Sequence, residues 1–584
     1  MLERRIKQLI NFTMKKIKSY FILFIAAALL SSCSGLNKMK KNASLVNYDV
    51  VPEVLETHAG TVEVTIKGTF PEKYFDKNTV LEATPVLTYE GGETAFEAVN
   101  VQGENVTENF KVINYTGGNF TYTSTVPYNE NMMVSDLVLR VKANRKGTVL
   151  DFDPIKLADG VISTSTLVED HAQPIPMKDN FKRIIPEDKM ADIHYLINMA
   201  SIRPNELKSE DINALKEYLL LVKGDDRLEF TGTTISSYAS PDGELDFNEK
   251  LVGKRAEAST KYVKSEFEKT KIEDISKEMF LSSQLTAEDW EGFKLEVGNS
   301  NIQDKELILR VLSMYSDPVV REREIKNMAA AFEVLKSDIL PKLRRSKITV
   351  NVNKIGRSDE EILAAINSDP TVLNIEELLF AATLTTDLNE QLKYYEIAAN
   401  QVPKCIRAHN NVGVTNMKLG KIDAAKTAFE KAQAIQNNDM VKNNLGFVAL
   451  VQGENDKAVE YFTSMTTSTK ESRFGLGTIA IKNGEYDKAV NFFGNEASIN
   501  NALALVLKGD LNKAKVMLDG MTMCQCGTPS YLKAVVGARM DNAEYALSGL
   551  REAVEFNENW KAYAMKDVEF AKMATTDAFK AIVE

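Results

Sequence analysis

Cys524 and Cys526, separated only by Gln525, are the tightest cluster of reactive side chains in the sequence. Thiolates bind soft metals and exchange disulfides, so a Cys-x-Cys pair invites a metal or redox reading. No histidine and no third cysteine lies near them, and two thiols do not complete a four-coordinate site. What remains is a loop thiol pair or a local disulfide. The other thiols are Cys33 and Cys405, so there is no disulfide framework. The histidines are His58, His171, His194 and His409, scattered over different regions. His194 falls inside an alternating strand, and His409 falls at a helix-packing position. There is no phosphate loop, no His-Glu-x-x-His and no Gly-x-Ser-x-Gly. The expectation is a non-enzymatic protein with no catalytic residues, no metal and no cofactor.

A chain of 584 residues predicts three or four domains, at roughly 150 residues each. The hydrophobic fraction is 44% and the charged fraction 26%, enough for globular cores throughout. The net charge of −11 excludes nucleic acid as a partner, because phosphates need a concentrated basic face.

The N-terminus carries Lys15, Lys16 and Lys18 after Met14, then the apolar run Tyr20 to Leu30, then "LLSSC" ending at Cys33. The run is short for a membrane span, and the pattern is that of a signal peptide over residues 1–32, with Met14 as the true start. A leucine and two small residues before a cysteine resemble the lipobox of bacterial lipoproteins. The resemblance implies cleavage before Cys33 and lipidation of its thiol, with an ordinary signal peptide that contains a cysteine as the alternative. Residues 33–47 then read as a lipid tether. No acidic cluster follows Cys33, which favours an outer-membrane anchor facing the periplasm.

The elements divide the rest. Residues 48–168 read as an all-β sandwich: Val62, Val64 and Ile66 alternate with Glu63, Thr65 and Lys67, and Leu137, Leu139 and Val141 repeat the pattern. This region is a spacer or a binding domain. Residues 169–186 contain three prolines and read as a linker. Residues 187–357 read as βαβαβ, a helical insertion over about 286–342, and a last strand. The first strand is expected to put Ile193, Tyr195, Ile197 and Met199 on one face. The second strand leads into "SSYASPDGELDFNEKLVGKRAEAS", Ser236 to Ser259, with Asp246 and Glu249 at capping-box spacing before a helix.

That order and that stretch resemble the OmpA-like peptidoglycan-binding domain. The family's helix pattern is matched by Asn248, Leu251, Arg255, Ala256 and Val263, with mild departures at Val252 and Ser259. Its arginine pair before the last strand is matched by Arg344 and Arg345. The resemblance implies that Arg255 holds the carboxylate end of diaminopimelate and that an aspartate before the helix holds the ammonium. At the aspartate's position stands Ser240. A hydroxyl offers no charge, and a lost charge-assisted bond costs about 1.5–3 kcal/mol. Asp242 in the turn could substitute, or could serve the turn alone. Arg255 could equally be a structural ion-pair residue.

Residues 358–584 carry an internal repeat. A small residue, a turn residue seven on, an alanine twelve on and a large apolar residue sixteen on recur five times. They begin at Gly413, Gly446, Gly477, Ala502 and Ala534. A degenerate unit around Leu379, Tyr395, Ala398 and Pro403 precedes them. The pattern resembles the tetratricopeptide repeat, a helix–turn–helix unit stacked into a solenoid. It implies partner proteins bound in the repeat groove. The whole reads as a lipid-anchored envelope scaffold with a weakened wall contact. The alternative is a true tether between outer membrane and peptidoglycan.

Overall fold

The computed structural model describes residues 35–272, 280–521 and 524–584, leaving out the side chains of 329–331. The expected signal peptide, Met14 and Cys33 lie outside the described residues. Two compact units divide the chain: residues up to Met177 together with Pro403–Glu584, and Lys178–Val402.

In the first unit, period-two alternation builds the β region. On the strand Thr61–Phe70, Val62, Val64 and Ile66 are buried while Glu63 and Lys67 face water. The strand Ser135–Arg145 buries Leu137, Leu139 and Val141 in the same way. These strands belong to a five-stranded and a seven-stranded sheet that share one core. The expected tether over 33–47 takes a different form. Residues 35–41 are helical, and Leu36 and Met39, three apart and so on one helix face, are buried in the β core. The strand Asn47–Val51 begins where the tether was expected to end.

The C-terminal helical repeats follow the spacing of the sequence. Five helix pairs stack, from Ile406–Lys418 with Ile422–Ile435 to Thr528–Arg539 with Ala543–Phe556. The turn residues Gly420, Gly453, Gly484 and Gly509 all have left-handed backbone, and so does Asp541 in the fifth unit. The small residue of each of the first three units faces the aromatic ring of its own second helix. A Cβ on Gly446 would lie 2.5 Å from the Phe462 ring.

A buried polar junction joins the β region to the last repeat. Arg539 is held by Glu569 through its Nε, 2.9 Å from Oε1, and by Glu56 of the β region. Thr164 donates to Glu569 and Ser163 shares a hydrogen bond with Tyr563. Nearby, Tyr531 donates to Asp567 over 2.6 Å. Burial pushes the Asp567 carboxyl up to about 6.

In the second unit a four-stranded sheet runs Ile184–His194, Arg345–Ile355, Leu228–Tyr238, Leu281–Thr286. Its last pair is parallel and the other two are antiparallel. Helices Glu210–Gly224 and Leu245–Thr270 supply side chains to the sheet's core. The first strand starts at Ile184, inside the expected linker, and it lies on the sheet edge, where Pro186 is tolerated. It ends at His194, so Ile193 and Tyr195 are buried but Ile197 and Met199 are exposed. The long helix begins at Leu245 after Glu244, so the Asp246–Glu249 capping box does not form; Asp246 sits inside the first turn. The inserted helices, Trp290–Asn299 to Leu340–Leu343, have a core of their own. Helices Asp359–Ser368, Ile375–Ala381 and Leu388–Gln401, expected with the repeats, also belong to this unit, which ends at Val402.

Two outcomes follow. Gly446→Val forces a branched side chain into the Phe462 ring and should destabilise the repeats by about 1–3 kcal/mol; an unchanged thermal melt would contradict the packing. Asp567 has a raised folded pKa, so the folded state binds its proton more tightly than the unfolded chain. Its contribution therefore grows as pH falls from 7 through about 6, by about 1 kcal/mol between pH 7 and 5. In denaturant titrations, Asp567→Asn should remove that share of the pH dependence.

Candidate functional site

The long helix Leu245–Thr270 buries one face, on which Asn248, Leu251, Val252, Arg255, Ser259 and Val263 recur at helical spacing. Arg255 is completely buried. Its guanidinium meets main-chain carbonyls rather than a carboxylate. Nε donates to Met199 O at 3.0 Å, Nη1 to Tyr238 O at 2.7 Å and Nη2 to Leu196 O at 3.4 Å. The Tyr195 ring lies beneath it, 5.0 Å from the guanidinium carbon. Burial lowers its pKa to about 10, so it stays charged at neutral pH. Arg255 thus ties the chain after the first strand to the end of the second, a task no ion pair performs here.

Ser240 turns its hydroxyl to Arg344, whose Nε donates to it at 3.1 Å. Arg344 also reaches Asp242, 3.4 Å from Nη2 to Oδ2. Asn248 donates from Nδ2 to Ser240 O at 3.1 Å and Gly243 O at 3.2 Å, which pins the turn from below. Ser240, Asp242, Asn248, Arg255 and Arg344 together line a cavity of about 300 Å³, with Ile197 and Phe247 among its apolar walls. Two guanidiniums, Arg255 and Arg344, stand with two carboxylates, Asp242 and Glu244, so the lining offers charge of both signs. Arg344 is the member that sequence reasoning did not place there. Its signal was the arginine pair itself, since Arg345 opens the strand that pairs with Leu228–Tyr238, and that strand runs into the Ser240 turn.

A second site lies on the first helices of the repeats, and residues 169–177 occupy it. Asn411 binds both the N–H and the C=O of Met177, each at 2.8 Å. Asn444 does the same for Ile175 at 2.7 and 2.9 Å, and Asn500 for Glu169 at 2.9 and 2.8 Å. Asn410 and Asn443 add single bonds to Ile175 O and Gln173 O. Each of the three bidentate asparagines stands two residues before the small residue of its repeat. In the third repeat that position is Gly475, and Lys482 instead pairs with Asp170 at 2.7 Å. Proline content points to a linker over 169–186, whereas residues 169–177 are bound by asparagine pairs at 410–411 and 443–444 and by Asn500. Their recurrence in phase with the repeat was the available signal.

Cys524 and Cys526 are joined as a local disulfide. Among the described residues no group of three His, Cys, Asp or Glu could hold a metal ion, and no helix is long and apolar enough to cross a membrane.

Comparison with known proteins bears on the repeats. Residues 406–439 match the family model of the tetratricopeptide repeat. No curated protein matches the chain. Among solved structures, the chain is similar to a tetratricopeptide repeat protein from Parabacteroides merdae at 16% identity, over 36% of this chain and 90% of that one, with a TM-score of 0.30. It is similar to the type IV pilus biogenesis factor PilW at 15%, over 36% and 98%, TM-score 0.27. It is also similar to YrrB, a TPR protein with an unusual peptide-binding site, at 19%, over 37% and 100%, TM-score 0.21. The C-terminal helical region is of the tetratricopeptide-repeat type.

Removing the Arg255 side chain takes a donor from three carbonyls, of which Leu196 O keeps the N–H of Met199. Arg255→Ala should destabilise the second unit by about 3 kcal/mol or more, and Arg255→Lys, with fewer donors, should recover only part of it. Chemical denaturation checks both; a loss within about 0.5 kcal/mol for Arg255→Ala, the scale of an ordinary surface change, would contradict the carbonyl clamp.

Proposed function

We propose that the chain is a non-enzymatic outer-membrane lipoprotein, anchored through Cys33 and facing the periplasm, that works as an envelope scaffold. Its repeats bind partner proteins, and its OmpA-like middle domain makes a weakened contact with peptidoglycan. The observation that carries the scaffold reading is the asparagine row, which grips an extended peptide by its main chain. YrrB, described as having a peptide-binding site, offers a parallel only at the level of repeat type.

The wall contact rests on the resemblance around Asn248 and Arg255, supported by a cavity that gathers these residues with Ser240 and Asp242. It is weakened because the position that should receive an ammonium carries a neutral hydroxyl already bonded to Arg344. The alternative, a true tether between outer membrane and cell wall, draws support from Asp242, which lines the same cavity and could take the ammonium if it left Arg344.

Metabolic lipid labelling and fractionation test the anchor: Cys33→Ser should lose the label and leave the membrane fraction, and a mutant that keeps its label sinks the lipoprotein reading. Sedimentation with purified sacculi tests the rest. The scaffold predicts weak cosedimentation and capture of membrane proteins by the immobilised chain. Tight cosedimentation abolished by Asp242→Ala establishes the tether instead.

A further inference from the structure

Residues 169–177 lie across the repeats as a ligand would. Four residues of one parity, Glu169, Gln173, Ile175 and Met177, turn their main chain to the asparagines. The segment forms no helix or strand, and its bonds fall on residues of one parity, as an extended chain would present them. It runs from Asn500 in the fourth repeat to Asn411 in the first, opposite to the order of the repeats. Pro174 and Pro176 fall between the bonded residues, where the absence of an N–H loses nothing. Their fixed φ also holds the segment extended before it binds. Met177 is buried among Val414, Phe429 and Val441 at one end, and Asp170 meets Lys482 near the other.

The segment does not exhaust the site. Asn443 is fully buried and donates to Gln173 O, yet its Oδ1 accepts no hydrogen bond. A peptide that brought an N–H to that oxygen would gain a bond the resident segment does not supply. No side chain of the segment is covalently fixed, and its hold includes hydrogen bonds, apolar contacts at Met177 and Ala172, and a partly exposed ion pair between Asp170 and Lys482.

We propose that the asparagine row is a main-chain-reading receptor for an extended, proline-bearing peptide of a partner protein, acidic at its amino end and apolar at its carboxyl end, and that residues 169–177 are its built-in competitor. The proposal rests on the reading of the repeats as a partner-binding scaffold and adds the ligand class and its control. A tethered occupant presents itself at an effective concentration on the order of millimolar. An incoming peptide with merely equal contacts is therefore excluded, and only one with better contacts, or one delivered at high local concentration, opens the groove.

The test uses the full chain and a fluorescent nonapeptide with the sequence of residues 169–177. Ile175→Pro removes the N–H that Asn444 accepts and sets a ring against its Oδ1, so the resident segment should release. The peptide should bind this variant at least about tenfold more tightly than wild type. Adding Asn444→Ala should weaken that binding by about 10- to 100-fold, and a peptide with proline in place of its isoleucine should bind neither. Hydrogen exchange on the wild-type chain gives an independent reading: the Ile175 and Met177 amides should open well below global unfolding and open faster with excess peptide. If those amides exchange only through global unfolding, or if a folded Ile175→Pro chain ignores the peptide, the segment is a permanent part of the fold and the receptor is overturned. Peptide binding without capture of any membrane protein leaves the receptor standing and removes the scaffold. Capture that persists in Asn444→Ala keeps the scaffold but moves it off the groove, which overturns the receptor.

Discussion

The pairing of an asparagine side chain with a peptide unit organises the larger part of this molecule. A carboxamide offers a donor and an acceptor side by side, and so does each residue of an extended chain. Asn411, Asn444 and Asn500 use both groups on a single residue each. All three are buried, and a buried amide left unpaired costs about 1–3 kcal/mol per group. The first helices of the repeats therefore require an occupant, and the strand-like segment after the β region supplies one. Continuity then does the rest: the segment begins directly after the turn Thr164–Leu167, whose Thr164 is bonded to Glu569. The β region and the repeats form one unit through the junction at Arg539 and through the chain between them, which is bound to the repeats.

The second unit solves a related problem with a different side chain. Arg255 donates to three main-chain carbonyls, two in the loop after the first strand and one at the end of the second. Asn248 does likewise for the Ser240 and Gly243 carbonyls. In each unit these buried side chains answer to main chain, while others, such as Tyr531 with Asp567 and Arg344 with Ser240, pair with one another. An arginine occupied in this way has fewer donors left for a ligand, though it keeps its positive charge. Arg344 adds a second charge of the same sign, and Asp242 and Glu244 line the same cavity with two of the opposite sign. What the cavity offers a ligand thus follows from which residues are already engaged as much as from which residues are present.

Much of the architecture was legible because it depends on local periodicity. Alternation at Val62, Val64 and Ile66 gave the buried face of a strand, and the recurring Gly–Gly–Ala–Phe spacing gave the repeats, down to the left-handed turn glycines. The asparagine row was not legible in the same way, because its partner lies more than two hundred residues away and hydrogen bonds to main chain leave no signature in the ligand's side chains. Pro174 and Pro176 were read as marks of a free linker. The same residues suit an extended ligand in alternate register, and composition alone does not separate the two. At the candidate cavity, the residue types on the helix were readable, but Arg344 entered through sheet pairing across about a hundred residues. Whether Arg255 faced a carboxylate or carbonyls depended on loop geometry that spacing does not encode.

The docking of Leu36 and Met39 into the β core sets a length. Under the anchoring proposed above, the lipid-bearing Cys33 stands three residues from Leu36, and three extended residues reach only about 10 Å. Such an anchor would leave no leash to let the molecule swing free of the bilayer. The β region would ride against the headgroups with one fixed side down, so that its membrane-proximal surface is chosen by the helix at residues 35–41 and not by diffusion. Lengthening the chain between Cys33 and Leu36 would alter stand-off height without touching the lipid, the repeats or the cavity.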